Sequence, residues 1–308
     1  METEIYYLTH LNLYEINSII NNNYSKYKNK ISFIKNEIFN ILINKDTKFT
    51  HLYLPQRFDY QIHLILGAKQ SLSKIVSLSC YTRINDKVLI GLAEICQSIK
   101  KLELFIEERE NNYGITKLID ASKTLINVRL ITDYVFYNRN LFVNTNGNLI
   151  KIGIDDIPYN EIDNKNIIQA IYQNCPNLMY LKYKIRNESI LELEQLLINC
   201  QYLVGLYFYA IKTFDWDELF KVLTISSPTS LIKFKFNKIL SNKIKLESLK
   251  LFFDNWKGRN PISLQLDPYN VCSDLIDLIG EYKLEGIINK FDYLCGTDGR
   301  YYFEDFEW

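Results

Sequence analysis

The sequence predicts a curved α/β solenoid, with parallel strands lining a concave face and helices packed on the convex one. Three observations carry that expectation. An apolar triplet at relative positions 1, 4 and 6 recurs as Phe49/Leu52/Leu54, Ile75/Leu78/Cys80, Ile99/Leu102/Leu104, Leu125/Val128/Leu130, Leu149/Ile152/Ile154, Leu178/Leu181/Tyr183, Leu203/Leu206/Phe208 and Leu231/Phe234/Phe236. Successive copies start 24–29 residues apart, the period of arrays that use one strand and one helix per copy. Between copies, apolar residues recur at spacings of three and four, which places them on one face of a helix. Curvature follows because parallel strands sit about 4.8 Å apart whereas packed helices need roughly 10 Å.

Taken in order, residues 1–44 carry Leu8, Leu11, Leu13, Ile16, Ile19 and Ile20, then Ile31, Ile34, Ile38, Ile41 and Leu42. They are expected to form an N-terminal helical cap, because the first copy of an array has no neighbour to cover its apolar edge. Residues 45–272 are expected to form the solenoid. In each triplet the two-residue period of a strand points positions 4 and 6 into the core and positions 3, 5 and 7 outward. Helices are expected from Ile84, Val88, Leu89, Leu92 and Ile95, from Ile162, Ile167, Ile168, Ile171 and Tyr172, and over 190–197 and 214–223. Residues 132–147 lack a helical stripe and are expected to be a loop or extended connection. Leu246/Leu249/Leu251 and Pro261/Leu264/Leu266 follow at intervals of only 15 residues, which predicts strands joined by loops. Residues 273–308 are expected to form a C-terminal helical cap, reaching to about residue 293, and a tail whose acidic-aromatic end, 301–308, packs on that cap.

Composition narrows the function classes. The 36 basic residues balance 36 acidic ones, so the chain as a whole is not drawn to nucleic acid or to acidic lipid. With 47% apolar residues it is not a disordered chain. No run approaches the ~20 apolar residues that span a bilayer. The start Met-Glu-Thr-Glu is acidic where a secretory signal is basic, so a cytoplasmic or nuclear location without membrane contact is expected.

Chemistry finds little footing. The six cysteines, Cys80, Cys96, Cys175, Cys200, Cys272 and Cys295, include no CxxC pair and no nearby histidine in a zinc pattern, so neither metal nor cofactor is expected. Cys96, Cys175 and Cys200 each stand three residues before a triplet, where a small buried side chain suits the corner between helix and strand. The only histidines are His10, His51 and His63, and no GxSxG or phosphate-cradling glycine loop accompanies them. Asp215 and Asp217 stand near a helix start, where a capping role outweighs acid catalysis. The expectation is a protein that is not an enzyme.

The stretch Cys80-Tyr-Thr-Arg-Ile84-Asn-Asp86-Lys-Val-Leu89-Ile-Gly-Leu92-Ala-Glu-Ile-Cys96-Gln-Ser-Ile99-Lys-Lys-Leu102-Glu-Leu104 resembles the cysteine-containing leucine-rich repeat, C-x-x-I-T-D-x-x-L-x-x-L-x-x-x-C-x-x-L-x-x-L-x-L, with one extra residue before Ile84 and Asn for Thr. The corners Asn174-Cys175-Pro-Asn-Leu178 and Asn199-Cys200-Gln-Tyr-Leu203 are similar. The chain also resembles a fungal set of F-box/leucine-rich-repeat-like proteins, through 167–178 and 246–256. The resemblance implies a leucine-rich-repeat solenoid serving as the substrate-recognition part of a cullin-RING (SCF-type) ubiquitin ligase, with a Skp-type adaptor as second partner. An F-box opens with Leu-Pro and a carboxylate, and the stretch from Leu11 to Ile20 has no proline, so residues 1–44 are read as a cap or a degenerate F-box remnant.

Positions 3, 5 and 7 of the strands then form the expected binding face. Its candidate contacts are Arg129, Lys151, Tyr180, Lys182, Lys184, Tyr207, Tyr209, Lys233 and Lys235. Lysine beside tyrosine suits an acidic or phosphorylated protein segment, with Tyr as rigid contact area and Lys steering the encounter. Ordinary solvated surface is the competing account, since charges face water on most proteins. The alternative function is a free-standing repeat module, outside any ligase, that binds an acidic protein segment or RNA. RNA is the weaker case, because no arginine cluster accompanies the tyrosines.

Overall fold

A computed structural model describes residues 9–24, 30–107, 113–132, 142, 145, 147–155, 161–210, 214–238, 244–266 and 272–293. The chain divides into two compact units, Met1–Leu149 and Ile150–Trp308. Among the described residues it has eleven strands, and within each unit every strand pairs in parallel with the next in sequence.

The first unit contains β1 (His10–Asn12), α1 (Leu13–Tyr24), α2 (Ile31–Leu42), β2 (His51–Tyr53), α3 (Ala68–Leu72), β3 (Ser77–Tyr81), α4 (Asp86–Ile95), β4 (Lys101–Ile106), α5 (Tyr113–Ala121) and β5 (Asn127–Thr132). Position 4 of each triplet falls on one line across the strands, Leu11, Leu52, Leu78, Leu102 and Val128 in register, and all five are buried. Asn85 starts α4 by accepting the backbone N–H of Lys87 at 2.9 Å. Ahead of α3, Gly67 has φ +93°, and a Cβ there would lie 2.5 Å from the Lys45 nitrogen, so both handedness and space require glycine.

The second unit contains β6 (Lys151–Asp155), α6 (Glu161–Asn174), β7 (Tyr180–Ile185), α7 (Ile190–Asn199), β8 (Gly205–Ala210), α8 (Trp216–Ser226), β9 (Lys233–Lys238), α9 (Leu246–Trp256), β10 (Ile262–Leu266), α10 (Ser273–Leu284) and β11 (Ile288–Tyr293). Ile152, Leu181, Leu206, Phe234, Leu264 and Phe291 are in register at position 4, and the first five are buried. Asp215 caps α8, its carboxylate accepting the N–H groups of Asp217 and Glu218 at 3.1 Å each.

Three local expectations are corrected. The described part of 1–44 holds two helices and, ahead of them, a rung: β1 pairs with β2, and the Asn12 side chain accepts the Tyr14 and Glu15 N–H groups at 3.1 and 3.2 Å, so a three-residue strand runs directly into a capped helix. Leu246/Leu249/Leu251 is not a strand but part of α9. Its buried residues Leu249, Phe252, Phe253 and Trp256 follow the three-and-four spacing of a helix, and Leu251 faces out. The 273–293 segment is helical only to Leu284, after which Ile288–Tyr293 forms β11 beside β10. The Leu264/Leu266 part of the weak second triplet is a true strand, aligned with Phe234 and Phe236. Most of 132–147, and the 301–308 tail with its expected packing, lie outside the described residues. Among the described residues no helix is long and apolar enough to cross a membrane.

Candidate functional site

Eight of the nine candidate residues stand on the second unit's strands, and register decides how they meet. In the first cross-strand row Lys151, Tyr180, Gly205 and Lys233 are aligned. Gly205 has no side chain, so Lys233 reaches across it: the Tyr180 ring has the Lys151 ammonium 5.3 Å from its centre and that of Lys233 at 5.9 Å. Such contacts contribute about 0.5–1 kcal/mol at exposed positions. Neither Lys151 nor Lys233 forms an ion pair among the described residues, and both are half-buried, as is Tyr180.

The second row aligns Gly153, Lys182, Tyr207 and Lys235, and the third Lys184, Tyr209 and Asn237. Tyr207 and Tyr209 stack at 4.7 Å. The Lys182 ammonium lies 5.6 and 5.4 Å from their ring centres, and that of Lys235 lies 4.5 Å from Tyr207. Asn237 donates to the Tyr207 hydroxyl at 3.3 Å, and Lys182 is ion-paired with Asp155.

This packing corrects the outward-facing expectation for three residues. Lys182, Tyr207 and Lys235 are 5%, 5% and 8% exposed, because the lysine stems lie along the tyrosine rings and the charges are met by π faces and by Asp155. The accessible part of the face is Lys151, Tyr180, Lys184, Tyr209 and Lys233, all half-buried.

Arg129, the ninth candidate, stands on β5 of the first unit. Its guanidinium is held by the Glu103 carboxylate at 2.9 Å, and Ser79 donates to the same carboxylate at 2.8 Å. The sequence showed the basic residue but not its partner one strand away. Tyr81 and Phe105 stack at 4.7 Å on the same face, and His51 stacks on His10. A polar hollow of about 740 Å³ between α1, α2 and the 55–60 loop, lined by Asn17, Lys35, Arg57 and Tyr60 among others, includes none of the nine candidate binding residues.

The cysteine corners are structural. Cys96 and Cys200 follow α4 and α7, and their thiols approach the carbonyls of Leu72 and Cys175 one copy earlier, at 3.4 and 3.7 Å. Burial pushes the thiols of Cys80, Cys96 and Cys200 up to about 12. Thiolate is therefore scarce at neutral pH. In a maleimide-labelling time course on native protein, exposed Cys272 is expected to react while Cys80, Cys96, Cys175 and Cys200 react only after unfolding. Fast native labelling at Cys200, read by peptide mapping, would contradict the packing.

No protein-family model matches the chain. No curated protein matches it either. Among solved structures, the leucine-rich-repeat-containing protein LegL7 from Legionella pneumophila is similar, with a TM-score of 0.51 at 17% identity, covering 80% of this chain and 82% of that one. Parallel strands alternating with helices at a 24–29-residue period, together with this likeness, identify the fold as a leucine-rich repeat.

Proposed function

We propose that the protein is a non-catalytic interaction scaffold that binds an acidic segment of another protein on the strand face of its second unit. The reading rests on one observation. Lys151 and Lys233 flank the Tyr180 ring on three strands held in register, accessible and without an ion pair among the described residues. Rigid strands fix the aromatic ring beforehand, so little entropy is lost on binding, and the two ammonium groups beside it, without a carboxylate partner among the described residues, steer a carboxylate-bearing chain toward it. Interaction proteomics with wild type beside Lys151→Glu/Lys233→Glu tests this. Partners with acidic segments are expected to drop at least tenfold in the variant, and an unchanged partner set would show this face to be ordinary solvated surface. Lys182 and Lys235 are unsuitable for this test because they are buried.

The finer reading is that these repeats recruit substrates to a cullin-RING ligase through a Skp-type adaptor. It draws support from the first unit, where Ile19 on α1 and Phe33 and Ile41 on α2 are 60%, 65% and 70% exposed. Apolar side chains that a monomer leaves in water suit contact with another protein. Recovery of a Skp-type adaptor with tagged wild type, lost in Ile19→Asp/Ile41→Asp, is the expected result. Recovery of none removes the ligase role and leaves a free-standing module. RNA as the alternative ligand predicts affinity that falls steeply with salt, and no RNA binding at low salt ends that alternative.

A further inference from the structure

We propose that the chain carries its own competitor: the acidic-aromatic segment 301–308 docks along the first cross-strand row of the second unit and blocks the Lys151, Tyr180 and Lys233 site until an outside partner displaces it. The inference rests on the proposed function, since it takes that strand face as the binding surface, and adds the regulation of that face. The segment, Tyr301-Tyr-Phe-Glu-Asp-Phe-Glu-Trp308, lies outside the described residues. It supplies three carboxylates, those of Glu304, Asp305 and Glu307, among five aromatic side chains and no basic residue. This is the chemistry proposed for the site's partner.

The receiving row is longer than the three residues of the site. Register carries it from β6 to β11, with Lys151, Tyr180, Gly205, Lys233, Ser263 and Lys290 aligned. Lys290 is exposed and, like Lys151 and Lys233, forms no ion pair among the described residues. No acidic residue stands in this row. Asp155 and Asp292 belong to later rows of the face, and Asp155 is paired with Lys182.

Length and direction fit this occupant. Five strand intervals of about 4.8 Å make the row about 24 Å long, and eight extended residues at about 3.3 Å each span about 26 Å. Tyr293, the last residue of β11, stands only three residues beyond Lys290, about 10 Å along the strand. Residues 294–300 reach up to about 23 Å when extended, enough to bring the chain back to the β11 end of the row. A segment laid from β11 toward β6 meets Lys290 first, then Lys233, then the Tyr180 ring with Lys151 beside it.

Charge selects this face over the C-terminal cap. Asp274, Asp277 and Glu281 on α10 are exposed and without an ion pair among the described residues, so like charges disfavour an acidic segment there. The lysine row attracts it. Tethering adds to the attraction: at an effective concentration of about 1 mM, a contact with a dissociation constant of about 100 μM keeps the face about nine-tenths covered.

Two experiments on the full chain test the inference. With p-benzoylphenylalanine placed at Phe303, irradiation is expected to crosslink the segment, within one molecule, to peptides containing β6 to β11. Lys290→Glu, an exposed change outside the three-residue site, is expected to lower that yield at least threefold. In the second experiment a fluorescein-labelled peptide of sequence 301–308 is expected to bind Glu304→Lys/Asp305→Lys/Glu307→Lys about tenfold more tightly than wild type, because the face is uncovered. Adding Lys151→Glu/Lys233→Glu to that variant, with circular dichroism as the check on folding, is expected to abolish the gain. Crosslinks confined to α10, or none to the strands, overturn the inference. Equal peptide affinity for wild type and the triple variant overturns it too: if both bind, the face is open and the proposed function stands without this regulation, and if neither binds, that reading falls as well.

Discussion

Phe234→Ala is expected to lower the urea midpoint of the second unit sharply, at a cost of about 3–5 kcal/mol. Phe234 has no exposed surface and sits at position 4 of β9, between Leu206 and Leu264. Its ring meets Trp256 edge-on at 5.4 Å, Phe252 edge-on at 5.7 Å and Phe236 stacked at 5.9 Å. Removing it loses these contacts and leaves a cavity walled by large rings that cannot collapse into it. Trp216 and Trp256 both lie in this unit, so tryptophan fluorescence follows its unfolding. Ile225→Ala on the same unit is the control. Ile225 is 70% exposed, and a shift within about 0.5 kcal/mol is expected. Equal midpoints for the two variants would contradict the placement of Phe234.

Lys182→Ala is expected to cost about 3–5 kcal/mol as well, for a different reason. The Lys182 and Asp155 side chains are 7% and 11% exposed, and removal of the ammonium leaves a carboxylate poorly solvated. The tyrosines lose a cation from their faces at the same time. Asp155→Leu/Lys182→Met, which removes both charges and keeps volume, is expected to recover most of the loss, because well-packed apolar pairs often equal buried ion pairs. Lys151→Ala, half-buried and without an ion pair among the described residues, should cost less than about 1 kcal/mol. Urea midpoints for the three variants decide the matter. A Lys182→Ala effect as small as that of Lys151→Ala would mean that the charge is solvated.

These variants separate two kinds of lysine that look alike in sequence. Lys182 and Lys233 both stand at outward positions of repeat strands, yet one belongs to the packed interior of the face and the other to its accessible part. The difference lies in the neighbouring rungs: Gly153 beside Lys182 leaves room toward Asp155, whereas Gly205 beside Lys233 opens onto Tyr180. These glycines are 29 and 28 residues away from their lysines in the chain, so no local window reveals them.

The elements were legible where a period repeats. Position 4 of all eight triplets lies on strands β2 to β9, with position 1 two residues ahead of each strand, and the helices expected after Cys80 and Ile154 and over 190–197 and 214–223 are present, because a two-residue period and a three-and-four spacing are properties of the chain alone. The pattern failed where it was short or double. Leu11 is the middle of a strand of only three residues, too brief to show alternation, and Leu13 already belongs to the helix that follows. Leu246 and Leu249 satisfy the strand triplet and the helix spacing together, Leu251 fits only the triplet, and burial of Phe252, Phe253 and Trp256 decided for the helix.

By itself the sequence determined that this chain repeats, that each copy supplies one apolar strand, and that Cys96, Cys175 and Cys200 stand at the corners ahead of three of those strands. The tertiary structure alone decided which outward residues are accessible, which charges are matched, and that His10 meets His51. The physical reason is that hydrophobic period is written along the chain, whereas pairing between side chains is set by cross-strand register, which exists only once the copies have stacked.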